Sequence, residues 1–253
     1  MKISPSDMSN IDILHEDSEM VVIDKPVGIR VHEDGFSDEP TVVDWFLART
    51  PSARGVGEPG VSPKGIPLER SGVVHRLDTD TSGVLVLAKT QEAFVHLKQQ
   101  FHDRLAKKEY RAFVYGAMKE RWGTIDRPIG RSAKDFRKRS AERGAKGTLR
   151  DSVTDWECVA TGTYEGETFS ELRLRPKTGR THQLRVHLKA IDHPIVGDQL
   201  YAGARRTSST NLGFERLALH AEMLTLTLQD GTSMTFVAAL PKAFVEARER
   251  IAS

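Results

Sequence analysis

The chain has 253 residues, of which 38% are hydrophobic, and this length supports one sizeable core. It contains no apolar run long enough to span a membrane, and Met1–Asp7 lacks the apolar centre of a signal peptide, so we expect a soluble cytoplasmic protein without a membrane partner. The single cysteine, Cys158, excludes an internal disulfide and a cysteine-based metal cluster.

Positive charge is concentrated in one basic loop, residues 131–150. This loop has eight basic and two acidic residues, a net charge of +6, whereas the whole chain carries +2 and the remainder therefore −4. Such a composition is typical of an electrostatic contact to a phosphate backbone, and equally of a solvated disordered loop without a partner. Composition alone leaves both interpretations open.

The first elements in chain order are two short apolar runs, residues 11–15 and 20–24, which predict a β-hairpin. Lys25-Pro26-Val27-Gly28 then ends the second strand, because proline cannot donate to a strand ladder and glycine permits positive φ. A structural role is predicted for this turn. Thr41 is expected to cap a helix that runs to Leu47.

Residues 51–72 are rich in glycine, proline, serine and charge, which predicts a long, exposed and mobile loop. The block that follows, residues 75–83, reads His-Arg-Leu-Asp-Thr-Asp-Thr-Ser-Gly and continues into an apolar run at 84–88. Core-forming segments on both sides can hold Asp78 against a cleft, beside the cation of Arg76. The charge pattern alone favours an ordinary polar turn with a surface ion pair.

Thr90 is expected to cap a second helix, whose apolar residues recur at helical spacing. These residues are Phe94, Leu97, Phe101 and Leu105. Alternation over 107–116 predicts a strand, with Tyr110 on one face. Strands are also predicted at 153–160 and 169–175, joined by a turn at 162–166.

The segment 176–188 predicts a turn at Gly179 followed by a helix with Leu184 on its apolar face. Three histidines in this region, His182, His187 and His193, have spacings that place them on different helix faces, and no cysteine supports them, so we expect no metal site. A hairpin turning at Asp230-Gly231 and an amphipathic helix over 240–252 are expected to close the chain.

Three sequence blocks together resemble RluA-type pseudouridine synthases. They are His-Arg-Leu-Asp-x-x-Thr-Ser-Gly at 75–83, Lys-x-Tyr-x-Ala at 108–112, and Thr-Gly-Arg-Thr-His-Gln-Leu-Arg at 178–185. The resemblance implies that Asp78 is the catalytic carboxylate, that Tyr110 stacks on the target base, and that Arg180 pairs with Asp78.

The resemblance also implies the fold and the reaction. The expected fold is α+β, a mixed, mainly antiparallel sheet flanked by helices around a central cleft, in a single catalytic domain over residues 1–253 that lacks an N-terminal RNA-binding module. The expected reaction isomerises uridines in structured RNA, in stem-loops of rRNA or tRNA, without a cofactor. We expect the protein to act as a monomer.

Substrate binding is expected to involve residues beside the catalytic carboxylate and in the basic loop. These residues are His75, Arg76, Leu184, Arg137, Lys138 and Arg139. Arg76 is expected to fill the space left by an extruded base or to hold a phosphate.

Two other functions remain open at this point. One is a non-catalytic RNA-binding or chaperone-like protein on the same fold, which would use the basic loop alone. The other is a hydrolase with an aspartate nucleophile, which needs a second carboxylate as general acid; Asp80 and Asp198 are the only candidates that the three blocks and their flanks offer.

Overall fold

The computed structural model describes residues 8, 11–62, 65, 67–135, 137–142, 144–203 and 210–252. Two of the features discussed above, the N-terminal segment Met1–Asp7 and Arg143 of the basic loop, lie outside these residues. Contacts divide the chain into two compact units. The first unit comprises Met1–Lys107 and Ala221–Ala238, and the second comprises Lys108–His220 and Ala239–Ser253.

The described strands and helices are numbered in chain order. They are β1 (Asp12–Glu16), β2 (Met20–Lys25), α1 (Val42–Arg49), β3 (Gly60–Val61), β4 (Pro67–Leu68), β5 (Ser82–Ala88), α2 (Gln91–His102), β6 (Lys107–Tyr115), β7 (Trp122–Asp126), β8 (Ile129–Arg131), β9 (Arg139–Ser140), β10 (Lys146–Arg150), β11 (Val153–Tyr164), β12 (Glu167–Pro176), α3 (Gln183–Ala190), β13 (Leu219–Thr227), β14 (Ser233–Val237) and α4 (Lys242–Ala252).

The first unit contains strands in the order β1-β2-β5-β13, the last from Ala221 onward. β1 and β2 form the predicted hairpin, β2 runs antiparallel to β5, and β14 pairs antiparallel with β13. β5 is buried along its whole length. Burial on both faces explains why its sequence is continuously apolar instead of alternating.

Both helices of the first unit begin at the predicted threonines. The Thr41 hydroxyl accepts a hydrogen bond from the N–H of Asp44, and the Asp44 carboxylate accepts one from the N–H of Thr41 at 2.7 Å, a complete capping box. The Thr90 hydroxyl accepts from the N–H of Ala93 at 3.1 Å. The prediction for Leu105 is wrong: α2 ends at His102, and Leu105 lies beyond it with 63% of its surface exposed.

The second unit contains an antiparallel sheet in the order β6-β12-β11-β7. Its core cluster includes Phe113 from β6, Leu172 from β12, Leu188 from α3 and Phe244 from α4, so the two helices and the sheet share one apolar interior. Strands supplemented by a few helices in each unit confirm the α+β class.

Two segments predicted as loops contain ordered structure. Within 51–72 the chain forms a 3₁₀ helix at Pro51–Ala53 and the antiparallel pair β3-β4. The basic loop contributes to a small sheet in the order β10-β8-β9, so it is neither featureless nor wholly disordered where the structure describes it. None of the described helices is long and apolar enough to cross a membrane.

Candidate active site

A tight turn presents Asp78 at the entrance to β5. Its carbonyl accepts a hydrogen bond from the N–H of Thr81 at 3.1 Å, and the side chain is half-buried. Just before this turn, Val73 forms an isolated bridge to Leu87. The turn is thus held between two points on the same buried strand, which restricts where the carboxylate can lie.

A buried lysine fastens the Asp78 turn to the end of β2. Lys25 has no exposed surface, and its ammonium donates to the carbonyls of Pro26 at 2.8 Å, Ile29 at 2.9 Å and Thr79 at 3.2 Å. Burial of an ammonium is costly unless such acceptors surround it. The N–H of Gly28 donates to the same Thr79 carbonyl at 2.7 Å. The Lys-Pro-Val-Gly turn is therefore structural, and it positions the residue next to Asp78.

Gly83 is required where the turn enters β5. Its φ is +113°, and an added Cβ would lie 2.1 Å from the carbonyl oxygen of Ala221. No other residue can bring the two backbones this close. The glycine at the end of the Asp78 block thus lets the turn pack directly onto β13.

The two basic residues before Asp78 have defined partners. The N–H of Val86 donates to Nε2 of His75 at 3.1 Å, and the imidazole stacks on Phe101 with ring centroids 4.4 Å apart. The Arg76 guanidinium is exposed and donates to Nε2 of His32 at 3.2 Å. His75 therefore has a structural place in the first unit, whereas Arg76 faces solvent. Their predicted roles in substrate binding stay predictions.

Tyr110 lies on β6 of the second unit, opposite Leu174 of β12. It is half-buried against the core cluster that includes Leu184, so the structure brings these two candidate residues to the same apolar surface. Lys108 lies two residues before Tyr110 on the same strand, and its ammonium donates to the carbonyl of Thr178 at 3.5 Å. Burial lowers the pKa of Lys108 to about 8.

Arg180 lies in the loop between β12 and α3, and its side chain is half-buried. Gln183 organises this loop, since its Oε1 accepts from the Thr178 hydroxyl at 2.7 Å and from the N–H of Arg180 at 3.0 Å. Nε of Arg180 donates to the carbonyl of Asp151 at 3.1 Å. Because Asp78 belongs to the first unit and Arg180 to the second, their pairing stays a prediction.

The basic loop is anchored to α3 through a tyrosine. The Tyr201 hydroxyl accepts from the N–H of Arg139 at 2.9 Å and lies 2.8 Å from Nδ1 of His182. A cavity of about 320 Å³ separates the loop from α3, and its lining includes the side chains of Lys134 and Lys189. This part of the loop is therefore built as a shaped surface.

Ion pairs reduce the free positive charge of the basic loop. Asp135 accepts from Arg137 at 3.0 and 2.9 Å and lies 3.9 Å from Lys138, and the Arg137 guanidinium holds the pKa of Asp135 at about 2. Among the described residues, no carboxylate pairs with Arg139. Of the three basic residues assigned to substrate binding, Arg139 is thus the one whose charge is not neutralised locally.

The three histidines considered as metal ligands have separate structural partners. His182 contacts Tyr201, His187 lies between the Thr154 hydroxyl at 2.9 Å and the Arg127 carbonyl at 3.0 Å, and His193 contacts the Tyr115 carbonyl at 2.9 Å. Within the described ranges, no three His, Cys, Asp or Glu side chains are grouped to hold a metal ion.

Asp198, one of the two candidates for the general acid of the hydrolase interpretation, has both its oxygens engaged within the protein. Only 1% of it is exposed, both its oxygens accept from Arg185 at 2.8 Å, and Oδ1 also accepts from the N–H groups of Leu200 and Tyr201. A buried carboxylate whose two oxygens are both occupied by donors within the protein has no free oxygen to present to the leaving group of a substrate. Asp198 is therefore unsuited to act as a general acid.

Comparison with known proteins identifies the family. The family model for RNA pseudouridylate synthases matches residues 19–190, well over half of the chain and including Asp78, Tyr110 and Arg180. The chain belongs to the RNA pseudouridine synthase family. The resemblance inferred from the three sequence blocks is thereby confirmed, and the protein is a member of a family of isomerases that act on RNA.

Relatives in this family match nearly the whole chain. An uncharacterized RNA pseudouridine synthase from Synechocystis is 38% identical over 246 residues, 95% of this chain and 70% of the relative. Ribosomal large subunit pseudouridine synthase D from Xanthomonas campestris is 39% identical over 229 residues, 87% of this chain and 62% of the relative. The chain thus spans somewhat over three fifths of the length of these relatives.

Two solved human structures share the fold of this chain. Human RNA pseudouridylate synthase domain containing 1 superposes with a TM-score of 0.75 at 27% identity, covering 94% of this chain and 87% of the human one. Human RNA pseudouridylate synthase domain containing 4 gives 0.70 at 27% identity, covering 95% and 93%. Both support the expected synthase core.

Sequence patterns did not reveal several residues that hold the candidate site residues in place. Tyr201 and His32 contact candidate residues, but neither lies in a motif that singles it out. Lys25 was noted only as part of a turn, although a lysine beside proline at the end of an apolar strand was a usable signal for burial. Contacts between distant segments decide such roles, and local patterns do not record them.

Proposed function

We propose that the protein isomerises specific uridines to pseudouridine in structured RNA, with Asp78 as the catalytic carboxylate. The observation that supports this role is the turn itself: Asp78 is next to Thr79, whose carbonyl is held by Lys25 and Gly28, and the turn continues into the fully buried β5. A carboxylate on such a rigid support can be held in a productive geometry without an ordering cost during reaction.

The chemistry requires an anion and no cofactor. The bond between uracil N1 and ribose C1′ breaks, the base rotates, and a bond forms between C1′ and C5 of the base. C5 loses its proton and N1 gains one, so the product is an isomer of uridine. The ribose develops oxocarbenium character when the first bond breaks, and a carboxylate stabilises that charge as in glycoside hydrolysis. Asp78 performs this step by attack at C1′ or by abstraction of a ribose proton; the two routes remain alternatives. Redox state is unchanged throughout.

The remaining site residues are assigned to holding the extruded nucleoside. Tyr110 supplies a flat ring for stacking on the base, which requires no hydrogen-bond pattern. Leu184 contributes to the apolar surface on which Tyr110 packs. Arg180 is assigned to pairing with Asp78, and Arg76 to the vacated position in the RNA or to a phosphate.

The proposed substrate is a stem-loop of rRNA or tRNA. Removing a base from its stack costs a few kcal/mol, and the cost is smallest where the base is already unpaired in a loop. Relatives named ribosomal large subunit pseudouridine synthase D favour a site in large-subunit rRNA. Arg139 and its neighbours in the basic loop are proposed to contact the RNA backbone.

The experiment that tests this function is pseudouridine mapping in a deletion strain. Carbodiimide-dependent reverse-transcription stops are compared across rRNA and tRNA from the wild type, the deletion strain, and strains complemented with wild-type protein or Asp78→Asn. We expect one or a few stops to vanish on deletion and to return only with the wild-type gene. Restoration by Asp78→Asn would support a non-catalytic RNA-binding protein instead.

A further inference from the structure

His32 is a buried histidine whose protonation state can be derived from its contacts. It is 6% exposed, and its Nδ1 lies 2.6 Å from the carbonyl of Glu33 while its Nε2 lies 3.2 Å from Nη1 of Arg76. A carbonyl can only accept and a guanidinium can only donate, so the proton is on Nδ1 and Nε2 offers its lone pair. Burial, together with the charges of Arg76 and Arg70, lowers the pKa of His32 to about 4. His32 is therefore a neutral acceptor that orients Arg76.

A second guanidinium lies near Arg76. Arg70 comes from the end of the 51–72 segment, to which sequence reasoning assigned no role, and its Nε is buried without a hydrogen-bond partner in the described structure. A Cβ added at Gly60 of β3 would lie 2.4 Å from Nε of Arg70, so the glycine leaves room for the arginine side chain to lie against β3. Burial and then the charge of Arg76 lower the pKa of Arg70.

The carboxylates closest in sequence to these arginines are engaged elsewhere. Glu69, adjacent to Arg70, pairs with Arg54 at 3.2 Å, and Asp34 pairs with Arg30 at 2.9 Å. No carboxylate of the described chain forms an ion pair with Arg70 or Arg76. Arg76 is exposed and Arg70 is half-buried, so their positive charges add at a surface that water and ions can reach, and an anion bound between them would relieve their mutual repulsion.

We propose that Arg70 and Arg76 form a binding site for one backbone phosphate of the RNA substrate, that His32 is its positioning residue, and that the 51–72 segment serves to deliver Arg70. Two guanidinium forks match the oxygens of a phosphodiester, which is the chemistry that arginine recognises best. The site lies within the first unit, beside the turn that carries Asp78. The identity of the anion rests on the proposed function, because it assumes an RNA substrate.

The test measures how RNA binding depends on salt. A fluorescein-labelled RNA stem-loop is titrated with the full chain at several KCl concentrations for the wild type, Arg70→Gln, Arg70→Lys and Arg104→Gln. We expect Arg70→Gln to weaken binding and to reduce the slope of log Kd against log salt by about 0.7 to 0.9, the value for one lost phosphate contact. Arg104→Gln is the matched control, because Arg104 is an exposed arginine of the same unit that forms no ion pair in the described structure, and it should leave both quantities unchanged.

Arg70→Lys keeps the charge but loses the fork, so its slope should stay near the wild-type value while its affinity falls. If Arg70→Gln binds RNA with the affinity and the salt slope of the wild type, the proposal is overturned. If Arg70→Gln does not fold, wild-type affinity in Arg70→Lys overturns it instead.

The role of His32 is tested by enzyme kinetics. We expect His32→Leu to raise KM with kcat unchanged and His32→Gln, which keeps an acceptor, to restore part of the loss. Equal effects of the two substitutions would contradict a positioning role.

Failure of this proposal is distinguishable from failure of the proposed function. Pseudouridine formation by the wild-type protein is measured in parallel on rRNA and tRNA from the deletion strain. An active wild type with unaltered binding in the Arg70 variants refutes the phosphate site alone. An inactive wild type whose RNA binding still depends on Arg70 refutes the isomerase and retains the phosphate site.

Discussion

At the scale of single residues, the Asp78 turn depends on a side chain that is itself remote from the chemistry. The Lys25 ammonium joins three carbonyls, those of Pro26 and Ile29 just after β2 and that of Thr79 in the Asp78 turn, and the lysine has no exposed surface. The position of the Asp78 turn in the first unit thus depends on a buried cation whose charge is satisfied by backbone oxygens.

Replacing Lys25 should therefore destabilise the protein and reduce its activity together. We expect Lys25→Met to lower the free energy of unfolding by about 2 kcal/mol or more, because the carbonyls of Ile29 and Thr79 lose a shared donor. Urea denaturation measures this, with the exposed Lys119→Met as control. A Lys25→Met variant with the wild-type midpoint would show that the clamp contributes nothing.

Asp24 provides a test of pH dependence. Burial, followed by the charge of Asp12, raises the pKa of Asp24 to about 6, although the N–H of Gly83 opposes the shift. Between its unfolded value of 3.8 and this value the folded state binds more protons than the unfolded state, so the free energy of unfolding falls as pH rises through that window. At a pH above about 6, the Asp24 carboxylate is ionised in the folded state, and its burial lowers the free energy of unfolding by the full amount.

Asp24→Asn removes this cost and keeps an acceptor for Gly83. We expect its melting temperature to exceed that of the wild type at about pH 7 and the difference to shrink towards about pH 4. Thermal melts across this range, with the exposed Asp126→Asn as control, make the comparison. A difference that does not vary with pH would exclude Asp24 as its source.

At the scale of elements, strand and helix positions followed from local patterns, whereas close approaches did not. Alternation located β6, and the threonine caps located α1 and α2. The turn predicted at 162–166 is wrong in extent: β11 runs to Tyr164, and the turn proper is Glu165-Gly166. Gly162 is needed because an added Cβ would lie 1.8 Å from the Ile251 carbonyl of α4, a tertiary reason that sequence does not reveal.

The short strands inside the two predicted loops also could not be predicted from local patterns. β3 and β4 are two residues each, and β9 is also two, too short for any periodicity to register. The candidate site was predictable as residue identities, because its motifs are ordered strings. The contacts of His32, Lys25 and Tyr201 were not, since each joins segments far apart in the chain.

The basic loop should lose order when its anchor is removed. Tyr201→Phe deletes the hydroxyl that accepts from Arg139 and contacts His182, and we expect a loss of about 1 kcal/mol in stability. Hydrogen exchange in 137–142 should accelerate and RNA should bind more weakly. Tyr164→Phe, whose hydroxyl has no hydrogen bond in the described structure, is the matched control. Unchanged exchange in Tyr201→Phe would refute the anchoring role.

At the scale of the whole molecule, the candidate residues are distributed over both compact units. The first contains His75, Arg76 and Asp78, and the second contains Tyr110, Arg180, Leu184 and the basic loop. Each unit also contains a group of basic residues. The second unit contains the basic loop with its net charge of +6, and the first contains the Arg70-Arg76 pair. The proposed function and the proposed phosphate site therefore each assign RNA contacts to basic residues, and these residues occur in both units.

The most direct test of the central claim compares two carboxylates of one turn. Purified wild-type protein, Asp78→Asn and Asp80→Asn are incubated with large-subunit rRNA from the deletion strain, and pseudouridine formation and RNA affinity are measured. We expect Asp78→Asn to lose activity by roughly 10³-fold or more, the scale of a lost nucleophile or base, at unchanged affinity, while Asp80→Asn remains active. Wild-type turnover by Asp78→Asn would show that Asp78 is not the catalytic carboxylate.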